Sequence, residues 1–352
     1  MPRLALNQVL DDELSLPSDR QQRRQAKRKP GHRPKRTVDE QLVEVAGFPE
    51  KFDLTYNASR HERQWIEDSL GGFYDTQWIT DVVRQVKGGK EATVYQCAAH
   101  PSVNAGEFIA AKVYRPRQFR QLKKDHLYRE GRSNLDADGN IVTNHGMLHA
   151  MHKRTSYGNQ LLHTSWIEHE LATLQILHRA GADVPVPYAS ADNAILMGFL
   201  GDAAGPAPTL NTVRLDPDEA ASLYQRVLHN VELMLANERV HGDLSAFNIL
   251  YWQDQVTLID FPQAVNPHEN ANAYRIFERD MRRVGEYFAS QGVRVKAGRL
   301  AADLWTSYRY SLVPDVNPAL LDDQDESDRR YWDRMQKNTQ PGNNRRIGGR
   351  SA

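Results

Sequence analysis

Between Val240 and Ala264 the chain reads VHGDLSAFNILYWQDQVTLIDFPQA. Around one short hairpin this stretch places His241, Asp243, Asn248 and Asp260, so that three oxygen-bearing side chains could converge at one end of it. Phosphoryl transfer from a nucleotide uses such a set. One carboxylate orients the acceptor hydroxyl and takes its proton, and a second carboxylate with an amide holds magnesium on the phosphates. An ordinary polar loop with capping aspartates is the competing reading. The spacing favours the chemistry, because Asn248 lies five positions after Asp243 and Asp260 follows the end of an apolar strand.

Two distant residues extend the set. Lys112 lies inside the apolar run FIAAKVY, where an unpaired ammonium is costly, so it must reach water at an edge or meet an anion. Glu170 offers the anion, since it falls on the apolar stripe of its helix between Ile167 and Leu174. A strand lysine paired with a glutamate on the following helix is the arrangement that aims the lysine at nucleotide phosphates. The turn KGGKE supplies Gly88 and Gly89, which let backbone approach phosphate closely, and Lys90, which adds charge. At the end of AILMGFL, the backbone of Gly198 to Leu200 could hydrogen-bond an adenine ring.

These residues need elements to hold them. QWITDVVRQV, ATVYQCAA and EFIAAKVY are rich in β-branched and aromatic residues, and short polar turns separate them, which predicts three antiparallel strands. Residues 123–163 are polar and rich in Gly and His without apolar periodicity, and read as a long mobile insertion. A helix is expected over 165–180, started by Ser165 and Glu168 as a capping box, striped by Ile167, Leu171, Leu174 and Leu177, and ended at Gly181. AILMGFL is of strand length. A second helix is expected from the Asp216 cap, with Pro217 in its first turn, to about Arg239, burying Ala220, Leu223, Val227, Val231 and Met234. NILYW and VTLID pair around Gln253–Gln255, and a last helix runs from about His268 to Ser290 with Gly292 beyond it.

The composition narrows the setting. The chain has 352 residues, with 45 Lys and Arg against 45 Asp and Glu, so it is not basic throughout in the manner of a general nucleic-acid binder. Nine of the seventeen residues from Arg20 to Arg36 are Lys or Arg and none is acidic, which predicts a disordered basic arm able to contact RNA or a ribosome through phosphates. An acidic patch at Asp322–Asp328 and a Gly-, Asn- and Arg-rich end predict a second tail. The single cysteine, Cys97, excludes an intramolecular disulfide framework. No run approaches the roughly 18 apolar residues of a membrane span, and MPRLALNQVLDDELSLP lacks a signal-type apolar stretch, so no membrane and a cytoplasmic location are expected. His145, His149, His152, His163 and His169 have no accompanying acid pattern for zinc, and the six tryptophans show no stacking period.

GGKEATVY, AAKVYRP, WIEHE, LMGFLGD, PAPTL, HGDLSAFNIL and LIDFPQAV together resemble the motif series of the RIO family of atypical serine/threonine protein kinases, closest to its first subfamily, over roughly residues 75 to 290. The resemblance implies an α+β, two-lobed protein-kinase-like fold with a small β-rich N-lobe and a mainly helical C-lobe. Joined to the tails read from composition, this gives the order of a basic arm over 1–50, a helical lead-in over 51–75, an N-lobe over 76–200 with the insertion 123–163 as the family's flexible loop, a C-lobe over 201–315 and a tail over 316–352. The resemblance also implies ATP with Mg2+, or Mn2+, as the cofactors. By motif, Lys112 would position ATP with Glu170, Asp243 would accept the proton, and Asn248 and Asp260 would bind metal. Asp260 would also be the site of an aspartyl-phosphate, giving ATP hydrolysis beside autophosphorylation and phosphorylation of an unknown protein substrate.

The chain departs from ordinary protein kinases. It has no full G-x-G-x-x-G, it has Gly242 in place of the catalytic-loop arginine, it reads Asp260-Phe261-Pro262, and it carries no Ala-Pro-Glu signature. Two other readings use the same residues: a small-molecule phosphotransferase of the aminoglycoside or choline type, and an ATP-gated switch that binds RNA or the ribosome.

Overall fold

The computed structural model describes residues 52–310 except 53, 90, 116–127, 129 and 192. The basic arm at 20–36, Lys90 and the acidic C-terminal tail lie outside the described residues.

Helix α1, Arg60–Asp75, starts at Ser59, whose hydroxyl accepts from the Glu62 N–H, and buries Ile66, Leu70 and Phe73 at helical spacing. Strands β1 (Ile79–Gly88), β2 (Ala92–Ala99) and β3 (Phe108–Tyr114) follow as expected. After them come β4 (Pro187–Ala191), which sequence reading missed, and β5 (Ala194–Gly198). They form one antiparallel sheet in the order β1-β2-β3-β5-β4. The edge strand β1 has three register shifts against β2, and the opposite edge β4 has one against β5.

Alternation along the strands sorts the two faces. Val82, Tyr95, Ile109, Ala111, Val113 and Leu196 pack with α1. Ala110, Tyr114, Ile195 and Met197 face Trp166, Ile167 and Leu171 of helix α3. Lys112 lies between Ala110 and Tyr114 in period two and therefore shares the α3 face, opposite Val94 and Ile195 in register.

The described part of 123–163 is not a structureless insertion. It includes helix α2, His145–Lys153, and the first turns of α3, Ser156–Arg179. The cap of α3 is Thr155, whose hydroxyl accepts from the Gly158 N–H at 3.0 Å, and not Ser165. Ser165 is mid-helix and accepts from the Leu135 N–H at 2.9 Å, while Glu168 accepts from the Ser190 hydroxyl of β4 at 2.8 Å. A Cβ on Gly158 would stand 1.9 Å from the Ala150 carbonyl, so the close approach of α2 to α3 requires this glycine.

The helical half is built by α4 (Pro217–Ala236), the hairpin β6 (Ile249–Trp252) and β7 (Gln255–Leu258), α5 (Ala273–Ser290) and α6 (Ala297–Ser307). Its core joins Leu174 and Leu177 of α3 to Val227 and Val231, Ile249 and Leu258, Met281 and Phe288, and the fully buried Trp305. Helix α5 begins at Ala273 and not at His268, because residues 266–272 form a turn in which the Asn266 and Asn270 carbonyl side chains accept from the N–H groups of His268 and Asn272.

Candidate active site

Lys112 lies between two carboxylates. Its Nζ donates to Glu170 Oε1 at 2.6 Å and to Asp260 Oδ1 at 2.5 Å. The lysine and Glu170 side chains are 10% and 1% exposed and Asp260 is 41% exposed, so the chain of charge runs from the interior outward. Glu170 is fully buried yet well supplied with donors: the Tyr114 hydroxyl donates to Oε2, and the Phe261 N–H reaches Oε1 at 3.3 Å. Tyr114 was missed from sequence, although its place two residues beyond Lys112 puts it on the same strand face.

The charges set one another. Burial alone would lower Lys112, but the facing Asp260 and Glu170 outweigh it and hold the ammonium well above its ordinary value. Burial alone would raise Asp260; Lys112 outweighs it by charge and hydrogen bond, with His241 and Lys87 adding to the same field, and the carboxyl is held below the usual carboxylate range. Asp260 also has φ of 74°, a left-handed conformation that Asp and Asn tolerate better than other side chains. Phe261 turns inward against the His241 ring, 4.6 Å between centroids.

The loop carrying Asp243 is fixed from three sides. Val240 and Val265 exchange backbone bonds at 2.9 Å, and His241 Nε2 meets the Ile259 carbonyl at 3.1 Å. From α5, Asp280 Oδ2 accepts from the Gly242 N–H at 2.9 Å, and Arg279, itself paired with Asp280, donates to the Gly242 carbonyl. Gly242 has φ of 86°, and a Cβ there would lie 2.1 Å from the Gln263 carbonyl. No arginine fits at that position, which explains this departure from the ordinary catalytic loop.

Within the loop, Asn248 Nδ2 donates to the Asp243 carbonyl at 2.9 Å and to its carboxylate Oδ2 at 3.3 Å. That orientation leaves the amide oxygen of Asn248 as its remaining polar atom. Like the Asp260 carboxylate, it is a hard oxygen donor of the kind that Mg2+ takes. Among the described residues no three His, Cys, Asp or Glu side chains are grouped to hold a metal ion alone, so a cation here would share its ligands with phosphate oxygens.

The remaining sequence candidates lie at the ends of strands. Gly88 closes β1, and the Gly89 N–H donates to the Ala92 carbonyl at 2.9 Å in the β1–β2 turn. The Gly198 N–H is taken by the Val186 carbonyl and the Leu200 carbonyl by the Ala207 N–H. Those two bonds do not use the Gly198 carbonyl or the Leu200 N–H, which narrows the groups that could meet an adenine. Sequence reading also missed Arg279, Asp280, Arg283 and Arg132. Arg132, in the segment leading to α2, donates to the Pro262 carbonyl at 3.2 Å and the Ala264 carbonyl at 2.5 Å, and so braces the backbone just after Asp260.

A family model described as the RIO domain matches residues 93–300. The chain belongs to the RIO family. It is 30% identical to the human serine/threonine-protein kinase RIO1 over 63% of this chain and 35% of that protein. It is 31% identical to the RIO-type serine/threonine-protein kinase Rio1 of Thermoplasma acidophilum over 38% of this chain and 69% of that protein. Among solved structures, a Rio2 kinase–ADP/Mg2+–phosphoaspartate complex from Chaetomium thermophilum aligns with a TM-score of 0.47 and 21% identity, covering 77% of this chain and 75% of that one. The chain thus spans about a third of the length of the human relative. As a RIO domain it is α+β, with a β-sheet half and a helical half. Only residues 261–272 separate Asp260 from α5, so no long activation segment intervenes.

Proposed function

We propose that this RIO-family chain is an ATP- and Mg2+-dependent phosphotransferase of the serine/threonine protein kinase type, which phosphorylates itself and a protein substrate and hydrolyses ATP through an aspartyl-phosphate at Asp260. The observation that carries the reading is the single chain of contacts in which Lys112 bridges Glu170 and Asp260.

In this reading Glu170 and Tyr114 hold Lys112 against the nucleotide phosphates, with Gly88, Gly89 and Lys90 covering them and the Gly198 carbonyl and Leu200 N–H meeting the adenine. Asn248 and Asp260 hold the metal. When bound, Mg2+ supplies charge neutralisation on the phosphates, and Mn2+ would fit the same oxygen donors. For protein phosphorylation, the acceptor oxygen attacks the γ-phosphorus, its proton passes to Asp243, and the bond to the β-bridging oxygen breaks with its electron pair leaving on ADP. For hydrolysis, a carboxylate oxygen of Asp260 attacks instead, ADP leaves, and water then cleaves the acyl phosphate. The N-lobe would span 76–200 and the C-lobe 201–315. The basic arm at 20–36 would contact RNA or a ribosome, and the setting would be cytoplasmic; among the described residues no helix is long and apolar enough to cross a membrane.

The test is incubation with γ-labelled ATP and Mg2+, comparing the wild type with Asp243→Asn and Asp260→Asn. We expect labelled protein and released phosphate from the wild type, loss of serine labelling in Asp243→Asn, and loss of both activities in Asp260→Asn. Label lost to hydroxylamine marks the acyl phosphate. A wild type that neither takes up label nor releases phosphate overturns the reading.

A further inference from the structure

The loop HGDLSAFN, residues 241–248, contains no lysine or arginine. Lys112 is committed to Glu170 and Asp260. A carboxylate that takes a proton beside a triphosphate stands close to several like charges, and repulsion there opposes both its approach and its orientation. The structure supplies a cation from elsewhere. Arg283 Nη1 donates to Asp243 Oδ1 at 2.7 Å, while Asn248 approaches Oδ2 at 3.3 Å, so both carboxylate oxygens are held and the group has one orientation.

Arg283 stands three residues beyond Asp280 on α5, on the same side of the helix. The helix that grips the Gly242 backbone therefore also supplies the charge the loop lacks. Val284 and Phe288, buried next to it, anchor that part of α5 in the core. The pair itself is half exposed, with 40% and 51% of the two side chains accessible, and an ion pair so exposed adds little to folding stability. Its consequence belongs to the chemistry. Of the five guanidinium N–H groups one is used on Asp243, which leaves the fork able to address phosphate oxygens.

We infer that Arg283 is the positioning residue for Asp243: it fixes the proton acceptor and offsets its charge against the transferring phosphoryl group. This rests on the phosphotransferase reading above and adds the residue that makes an arginine-free loop workable. On the leaving side Lys112 faces the phosphates, and on the attacking side Arg283 provides the matching charge.

The experiment is steady-state phosphate transfer by the full chain as wild type, Arg283→Ala, Arg283→Lys and Arg282→Ala, with Asp243→Asn and the double variant Asp243→Asn/Arg283→Ala completing a cycle. Arg282 is an exposed neighbour on α5 and serves as the control. We expect Arg283→Ala to lower kcat by about tenfold to a hundredfold with KM for ATP changed less than about threefold, Arg283→Lys to recover part of it, and all melting temperatures to coincide. In the Asp243→Asn background, Arg283→Ala should cause no further loss. Wild-type kcat in Arg283→Ala, a loss carried wholly by KM, a loss shared by Arg282→Ala, or full additivity in the cycle each overturns the inference. An inactive wild type sinks the underlying reading, whereas an active wild type with an inactive Asp243→Asn and a fully active Arg283→Ala sinks this inference alone.

Discussion

A lysine held between two carboxylates makes the site an electrostatic unit, and its parts respond to pH in opposite ways. The Asp260 carboxyl lies below its ordinary value in the fold, so the stability it contributes is present above the unfolded value of about 4 and is lost as pH falls through the lower folded value. Lys112 lies above its ordinary value, so its contribution is complete below about pH 10.4 and fades only as pH rises through the folded value. Across neutral pH neither changes. Asn tolerates the positive φ at position 260, so Asp260→Asn isolates the charge. The difference in melting temperature between wild type and Asp260→Asn should stay constant from pH 7 to about 5 and shrink only as pH falls through about 4 and below; a difference that does not shrink there would show that the carboxylate is not linked to folding. At this scale the sequence was informative. Lys112 and Glu170 stood out because each is a charge on an apolar stripe, and Asp243, Asn248 and Asp260 because of their spacing. Arg283 and Asp280 did not stand out, since charges on an amphipathic helix look like a solvated face until the loop packed against them is known.

Elements were legible where local rules and tertiary packing agree. Strands β1 to β3 are rich in β-branched and aromatic residues between short polar turns, and α4 has its cap, its first-turn proline and an unbroken buried stripe, so their outlines could be drawn from sequence. The first turns of α3 could not. The segment SYGNQLLHT has a glycine where a helix former is usual, and the reason is Ala150 on the neighbouring helix, a contact that no local pattern encodes. Ser165 with Glu168 imitates a capping box, but both side chains answer to other elements, Leu135 and Ser190. The two assignments of the cap make different predictions. Thr155→Ala should cost about 1 kcal/mol of unfolding free energy through loss of the cap, measured by urea denaturation. A neutral Thr155→Ala would return the helix start to Ser165. Strand β4, five residues that begin with proline and are only half-buried, carries too little pattern to be read.

For the whole molecule, the sheet and the helical half are joined by more than the chain between them. From β1, Arg84 donates to the Ala203 and Ala204 carbonyls at 2.7 and 2.8 Å, and from β2 the Gln96 amide reaches the Asp202 carbonyl at 3.2 Å. Together with the Lys112–Asp260 bond, these contacts tie the strands to the segment after β5 and to the Asp260 loop, so a ligand that engages the site should stabilise the fold as one unit. Mg2+ with ATP at about 100 times its Kd should raise the unfolding free energy by about 2.7 kcal/mol, seen as a single shifted thermal transition, and Lys112→Met should abolish the shift. A transition that splits in two would show that the halves unfold separately. The architecture itself followed from the motif order, whereas the cross-links followed from nothing local, because Arg84 and Gln96 bond to backbone carbonyls more than a hundred residues away. The irregular register at both margins of the sheet has a bearing on how copies of the chain meet. With three shifts in β1 and one in β4, neither margin offers an even row of backbone donors and acceptors for another strand. Neither margin of this five-stranded sheet is therefore a ready template for sheet extension, and self-association by strand addition at either one is discouraged.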